Sequence, residues 1–424
     1  MEQSLRKKIA IIGTGISGLG IGSLLHPHHD ISLYEKNNYI GGHSRTIEVM
    51  TKDGTVVPVD TGFIVFNKRN YPLLTRFFEH LSVPITESDM SFGASIDGGW
   101  LEYGTQNLGN IFAQKRNFFR PAFWKMIADV LKFNTKARHY LLKDPTYTLG
   151  ECLDDLQMGS WFRYYFLLAM GGAIWSTPLA EMLKFPACTL IRFFENHGLL
   201  TLNDQPQWYT VHGGSREYID RLTAPFKDRL HLNRGVKSVS RSKNSVIVED
   251  LSGTQQRYDD IIFACHADQA LMMIQDPTGD EKKILSAFRY QPNRAVLHSD
   301  LSFMPRRKQA WASWVYLSEG KTDHNPNVSL SYWMNNLQPL KTDQTLIVTL
   351  NPGREPDPRY VYNDYMFEHP VFDTAAISTQ NKITDIQGRD RLWFCGAYQR
   401  YGFHEDGLGS AVKVAAQMGI DPPW

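Results

Sequence analysis

The segment from Lys8 to Glu35 constrains the fold more than any other part of this 424-residue chain. Lys8-Ile-Ala-Ile-Ile12 is a short apolar run and reads as a buried strand. Gly13-Thr14-Gly15-Ile16-Ser17-Gly18 follows at once, then a helical stretch to Leu25 that stops before Pro27. A second strand, Ile31 to Glu35, ends in an acid. Gly13 permits a tight turn, Gly15 lets the backbone approach a pyrophosphate, and Gly18 lets helix and strand pack closely. Ile16 and Ser17 open the helix, whose free N–H groups favour phosphate. Glu35, 22 residues after Gly13, stands where a carboxylate meets ribose hydroxyls, with Lys36 beside it. This pattern predicts an α/β dinucleotide-binding unit.

The next residues choose between dinucleotides. Gly41-Gly42-His43-Ser44-Arg45-Thr46 resembles the second glycine doublet of glutathione-reductase-like flavoproteins, a superfamily that includes amine oxidases, phytoene desaturases and protoporphyrinogen oxidases. The resemblance implies that the doublet covers the pyrophosphate of FAD. Where that family carries Arg directly after the doublet, this chain has His43, with Arg45 two residues on, so either faces the phosphate. Asp60-Thr61-Gly62-Phe63 resembles the element that passes the flavin ring. His212-Gly213-Gly214-Ser215 resembles the chain's return to the FAD domain, and Gly235 to Val239 the strand whose valine, here Val236, meets the adenine. Tyr258 to Ala264 reads as another buried strand.

Near the C-terminus, Arg391 to Ala397 reads as a strand ending at Gly396. Gly402-Phe403-His404-Glu405-Asp406-Gly407-Leu408-Gly409-Ser410-Ala411 then leads into a helix of small residues, Ala411 to Met418. The family resemblance places this helix N-terminus against the flavin, with Gly407, Leu408 and Ser410 near the ring. Ala397 stands where amine oxidases carry Glu, and Asp406 is the acid that takes its place. Segments such as Phe193 to Leu200, Leu297-His298-Ser299-Asp300 and Gly402 to Gly407 resemble predicted NAD/FAD-binding proteins related to the N-terminal part of plant cyclopropane fatty acid synthases. That likeness implies a lipid-like acyl substrate and a lipid methyltransferase as partner.

The expected fold is a glutathione-reductase-like Rossmann FAD domain (1–90, 203–290 and 386–424) interleaved with an amine oxidase-like α+β substrate domain (91–202 and 291–385). The first insert reads as a helical lid from Leu108 to Phe194, with loops at Arg120-Pro121 and Lys143-Asp144-Pro145. The second reads as a sheet floor with strands Arg294–His298, Val328–Met334 and Thr345–Leu350. Residues 105–143 carry Lys115, Arg116, Arg120, Lys125, Lys132, Lys136, Arg138 and Lys143 against Asp129 alone, a net +7, interleaved with aromatics. Such a stretch suits an anionic membrane surface or an ordinary solvated helix face.

Tyr398, Tyr401, His298 and His404 are the catalytic candidates. The tyrosines lie in the segment where the family's flavin-facing aromatics sit, and histidine serves as acid or base near neutral pH. No lysine stands near Gln291 to Arg294, which weakens an amine-oxidase reading. No cysteine lies between Tyr401 and Gly409, so the FAD is expected to be non-covalent. Cys265 and Cys395 read as packing residues. The four dispersed cysteines, the absence of a signal-like or 18-residue apolar run, and a net charge of +1 point to a cytoplasmic protein without a zinc site or nucleic-acid partner. Three functions follow: an FAD-dependent desaturase or oxidase of acyl chains, an amine oxidase releasing hydrogen peroxide, and a non-enzymatic lipid-binding protein on the same fold.

Overall fold

The computed structural model describes residues 6–424 apart from 145, 176–178, 197, 202–204 and 320–326. Met1 to Leu5, Pro145, His197 and the expected domain boundary at 202/203 lie outside the described residues.

Strand Lys8–Ile12 sits at the centre of a five-stranded parallel sheet, between Asp30–Tyr34 and Asp260–Phe263, with Leu230–His231 and Leu392–Phe394 at the edges. A parallel sheet is covered on both faces, which explains the continuous apolar runs. Helix Ile16–Leu25 follows the first strand as its spacing predicts. The strand around Val236 is Val236–Ser242, the first of a three-stranded antiparallel meander. Tyr258 ends that meander, and the parallel strand begins only at Asp260.

The second sheet has seven strands: Val361–Val371, Arg289–His298, Ile347–Leu350, Asn327–Trp333, Trp314–Glu319, Phe92–Ile96 and Leu101–Gly104, in that spatial order. Three of these were expected, while the first and the last three were not legible. Val361–Val371 is an edge strand containing Asp364, Glu368 and Pro370, residues that strands elsewhere avoid and edges tolerate. The lid helices rest on this sheet. Helix Pro121–Lys136 starts with proline in its first turn and buries Phe123, Met126 and Phe133 at helical spacing. Its core joins Phe92 and Tyr103 of the sheet to Phe162 and Leu190 of the other helices.

The C-terminal helix spans His404–Gln417, so it begins well before the expected Ala411. Asp406 starts it by accepting from the backbone N–H groups of Phe403 (3.0 Å) and Tyr401 (3.2 Å). Gly407 and Gly409 therefore lie within a helix. A Cβ on Gly407 would stand 2.8 Å from Ile16 Cγ2, and one on Gly20 2.9 Å from Leu408 Cδ1. These glycines let helices Ile16–Leu25 and His404–Gln417 meet closely.

Candidate active site

One cavity of about 1530 Å3 runs between the two sheets. Small-ligand sites occupy roughly 300–1,000 Å3, so this space accommodates more than a single small molecule. It begins at the C-terminal ends of the parallel strands, where ligands of open α/β sheets bind.

At that end the wall is largely backbone. Gly13 holds φ +104°, a conformation that favours glycine, and donates its N–H to the Tyr34 carbonyl at 2.9 Å. A Cβ on Gly15 would meet nothing within 4 Å, whereas one on Gly18 would fall 1.9 Å from the Gly13 carbonyl oxygen. Gly15 thus faces open space and Gly18 serves packing. Gly41 donates its N–H to Thr14 O at 2.9 Å, and a Cβ on Gly42 would stand 3.1 Å from Gly15 Cα. The doublet closes over the first glycine loop. Glu35 lines the cavity with its carboxylate already held by Thr14 N–H (3.2 Å) and hydroxyl (2.6 Å) and by Asn37 N–H and side-chain amide (both 2.9 Å). Lys36 and Val236 line the same end.

The middle of the cavity is a cluster of imidazoles and aromatics. His43 stacks between Phe367 (4.8 Å) and His369 (5.2 Å), and its buried Nε2 has no protein partner. Burial holds His43 down to about 4. Burial and the neighbouring His43 hold His404, His369 and His266 to about 3. At neutral pH all four are uncharged. His404 stacks on Phe63 at 3.8 Å, and its Nε2 lies 2.8 Å from Ser44 Oγ, which bonds to buried Tyr218. Tyr398 and Tyr401 line the cavity beside Gly396.

The far end is apolar, lined by Phe123, Met126, Ile127, Val130 and Leu131 of one lid helix together with Phe166, Met170 and Phe193. Among the described lining residues the lysines are Lys36 and Lys237, each adjacent in the chain to Glu35 or Val236.

Of the residues singled out from sequence, Gly13, Gly15, Ile16, Ser17, Glu35, Lys36, Gly42, His43, Gly62, Phe63, Val236, Gly396, Tyr398, Tyr401 and His404 line this cavity. Arg45 does not: its guanidinium packs on Tyr365 (4.3 Å) and donates to Asn363 Oδ1 at 2.7 Å. The residue of that pair that faces the cavity is His43. Asp406, Gly407, Leu408 and Ser410 support the wall from behind, with Ser410 Oγ accepting from Gly396 N–H at 2.8 Å. His298 is a correction. It is fully buried in the second sheet, away from the cavity, with Nε2 2.8 Å from Thr349 Oγ1 and Nδ1 accepting from Asp300 N–H at 3.1 Å. Cys265 lines the cavity rather than only packing, and burial pushes its thiol up to about 12. His266, Phe367 and His369 also line the cavity, and no motif in the sequence marks them; the edge strand contributes every residue from Tyr365 to Pro370 to the lining.

These features fit FAD. Gly15 faces free space, His43 offers an unpartnered buried nitrogen, Glu35 directly follows the second strand, and the cavity continues past the parallel sheet. The residues that would hold the cofactor are Gly13 to Ser17, Glu35, Gly42, His43, Gly62, Phe63, Val236 and Gly396. Among solved structures the chain resembles the CLA-producing fatty acid isomerase from P. acnes, at 13% identity over 98% of this chain and 99% of that one, TM-score 0.69. Putrescine oxidase bound to putrescine shares 14% identity over 98% and 99% of the two chains, TM-score 0.66. Cyclohexylamine oxidase from Brevibacterium oxydans IH-35A shares 15% over 98% and 100%, TM-score 0.66. At these identities the likeness establishes the fold. Comparison with curated protein sequences yields no match. Residues 16–355 match the family model described as flavin containing amine oxidoreductase, so this chain belongs to that family and is an FAD-dependent oxidoreductase.

Proposed function

We propose that the chain oxidises a long apolar acyl chain, most simply by desaturation. The observation that carries this reading is the apolar far end of the cavity, where one face of helix Pro121–Lys136 lies opposite Phe166, Met170 and Phe193. Each buried CH₂ contributes about 0.8 kcal/mol, so a lining of this kind selects long chains. FAD, held non-covalently, supplies the two-electron acceptor: a hydride leaves one substrate carbon and a proton leaves its neighbour. On this reading His404, whose imidazole lies in the cavity wall, accepts that proton in step with its hydrogen-bonded neighbours Ser44 and Tyr218. Tyr398 and Tyr401 orient the substrate. The FAD domain comprises 1–90, 203–290 and 386–424, and the remainder forms the substrate domain. On this reading the protein works at an anionic membrane surface, with a lipid methyltransferase acting on the same chains. The likeness in fold to a fatty acid isomerase supports it.

A second reading, amine oxidation with release of hydrogen peroxide, is favoured by one observation. Asp89 lines the cavity, and its carboxylate could pair with an ammonium group. Anaerobic mixing separates the two. The acyl reading expects bleaching of the flavin absorbance by fatty acids or acyl lipids, together with altered acyl chains in lipid extracts of cells that carry the gene. Rapid bleaching by amines and none by acyl compounds would overturn it.

A further inference from the structure

Resting on the acyl-chain reading, we propose that the apolar end of the cavity opens at a membrane-docking rim, through which a chain passes from an anionic bilayer into the protein without crossing water. Leu108 and Leu131 both line the cavity, and both are exposed, at 74% and 46%. The cavity therefore reaches the surface between helices Leu108–Ile111 and Pro121–Lys136. Beside this opening stand Phe118, Phe119 and Trp124, at 55%, 82% and 45% exposure. They are held together rather than scattered. Phe118 lies 5.5 Å from Phe119 and 5.7 Å from Trp124, and the Trp124 indole donates to the Phe118 carbonyl at 2.8 Å. Single exposed apolar residues need no explanation, but a contiguous set fixed outward marks a contact surface.

The occupant follows from charge and continuity. Exposed Lys115, Arg116 and Lys125 adjoin the rings in the chain, and exposed Lys132 and Lys136 continue the basic residues along the same helix, where Asp129 is buried. A surface that is apolar in depth and anionic at its face, and that also holds the ligand of the adjoining cavity, is a phospholipid bilayer. Part of the basic charge is answered within the protein. Lys125 pairs with Asp129 at 3.3 Å, Arg138 with Glu195 at 2.8 Å, and Lys132 donates to the Leu156 carbonyl at 2.6 Å. The rings, more than the net charge of the segment, hold the protein at the surface, and salt weakens the attachment only in part.

The test uses the FAD-loaded protein and vesicles of phosphatidylcholine with or without phosphatidylglycerol. The wild type is expected to co-sediment with the anionic vesicles. The double substitution Phe118→Asp and Phe119→Asp, outside the cavity wall, should lower that binding at least tenfold, with flavin content and melting temperature unchanged. The same variant should keep its rate of flavin bleaching by a short water-soluble fatty acid and lose at least tenfold with a vesicle-embedded acyl lipid. No binding to anionic vesicles, or equal binding by the variant, overturns the rim, and association with another protein would then account for the patch. Ring-dependent vesicle binding with bleaching by amines alone supports the rim and removes the acyl-chain reading instead.

Discussion

At the Gly15 end of the cavity the wall is backbone, whereas at the Val130 end it is side chain. The first end owes its shape to glycines in fixed conformations, to the carbonyl of Tyr34 and to a carboxylate, Glu35, that four protein donors already hold. The second owes its shape to aliphatic and aromatic groups from helices and strands distant in the chain. A backbone wall accepts one kind of ligand and tolerates no added atoms. A side-chain wall sets only length and polarity, so its ligand changes when one residue changes. On the proposed reading, the cofactor is fixed by the fold and the substrate is chosen by the lid helices.

The sharpest way to break this contrast is to add atoms to the backbone wall. Gly15→Val should give a folded but colourless protein, because a Cβ there meets no protein atom within 4 Å and enters free space that the cofactor needs. Flavin absorbance after purification, with far-ultraviolet circular dichroism as the control for folding, reads this. A yellow Gly15→Val protein would place the pyrophosphate elsewhere. Gly18→Val should instead fail to fold, since its Cβ would overlap the Gly13 carbonyl.

Next in size is the contrast between two histidines. His404→Ala should retain FAD and slow substrate-dependent bleaching by roughly 100-fold, within the range for loss of a general base. His298→Ala should leave the bleaching rate intact and lower the melting temperature, because it removes the partner of Thr349 from a buried sheet. Equal effects of the two substitutions on rate would remove His404 from the chemistry.

The side-chain wall answers to length. Along a series of acyl substrates, half-saturating concentration should fall about fourfold for each added CH₂ until the cavity is filled, the equivalent of about 0.8 kcal/mol. Val130→Trp should shorten the preferred chain without changing flavin content. An unchanged preference would place the chain outside the lid.

The smallest effect is on stability. His43, His266, His369 and His404 are held at about 3 to 4 in the fold, against an ordinary 6.5. Below pH 6.5 the unfolded chain takes up protons that the fold refuses, so these groups lower stability as pH falls toward 4. Asp60 and Asp406, raised by burial to about 6, act in the opposite sense between pH 6 and 3.8. His298, held down to about 4 by burial, adds a fifth imidazole, and with five groups against two the melting temperature should fall on the order of 5 °C between pH 7 and 5. A rise over that interval would contradict the burial of the imidazoles.

The strand, turn, helix and acid from Lys8 to Glu35 were legible because each requirement is met by neighbours in the chain. A parallel strand needs apolar residues on both faces, a tight turn needs glycine, and spacing alone places Glu35 at the next strand end. Gly407 shows the limit of such reading. Its sequence context resembles a loop against the flavin, but the residue lies in a helix and is small because Ile16 packs on it. His298 shows the same limit from the other side, since residue type marked it and burial removed it from the cavity.

The sequence by itself determined the dinucleotide cradle, the choice of FAD and the order of the segments, since these rest on local backbone geometry and short spacings. Only the tertiary structure decided that His43 rather than Arg45 faces the cavity, and that His266, His369 and Phe367 gather around it. It alone set exposed Leu108 and Leu131 of the cavity lining near Phe118, Phe119 and Trp124. The imidazole cluster joins residues hundreds of positions apart, and which face of a helix meets the cavity is set by packing against elements that no short window contains.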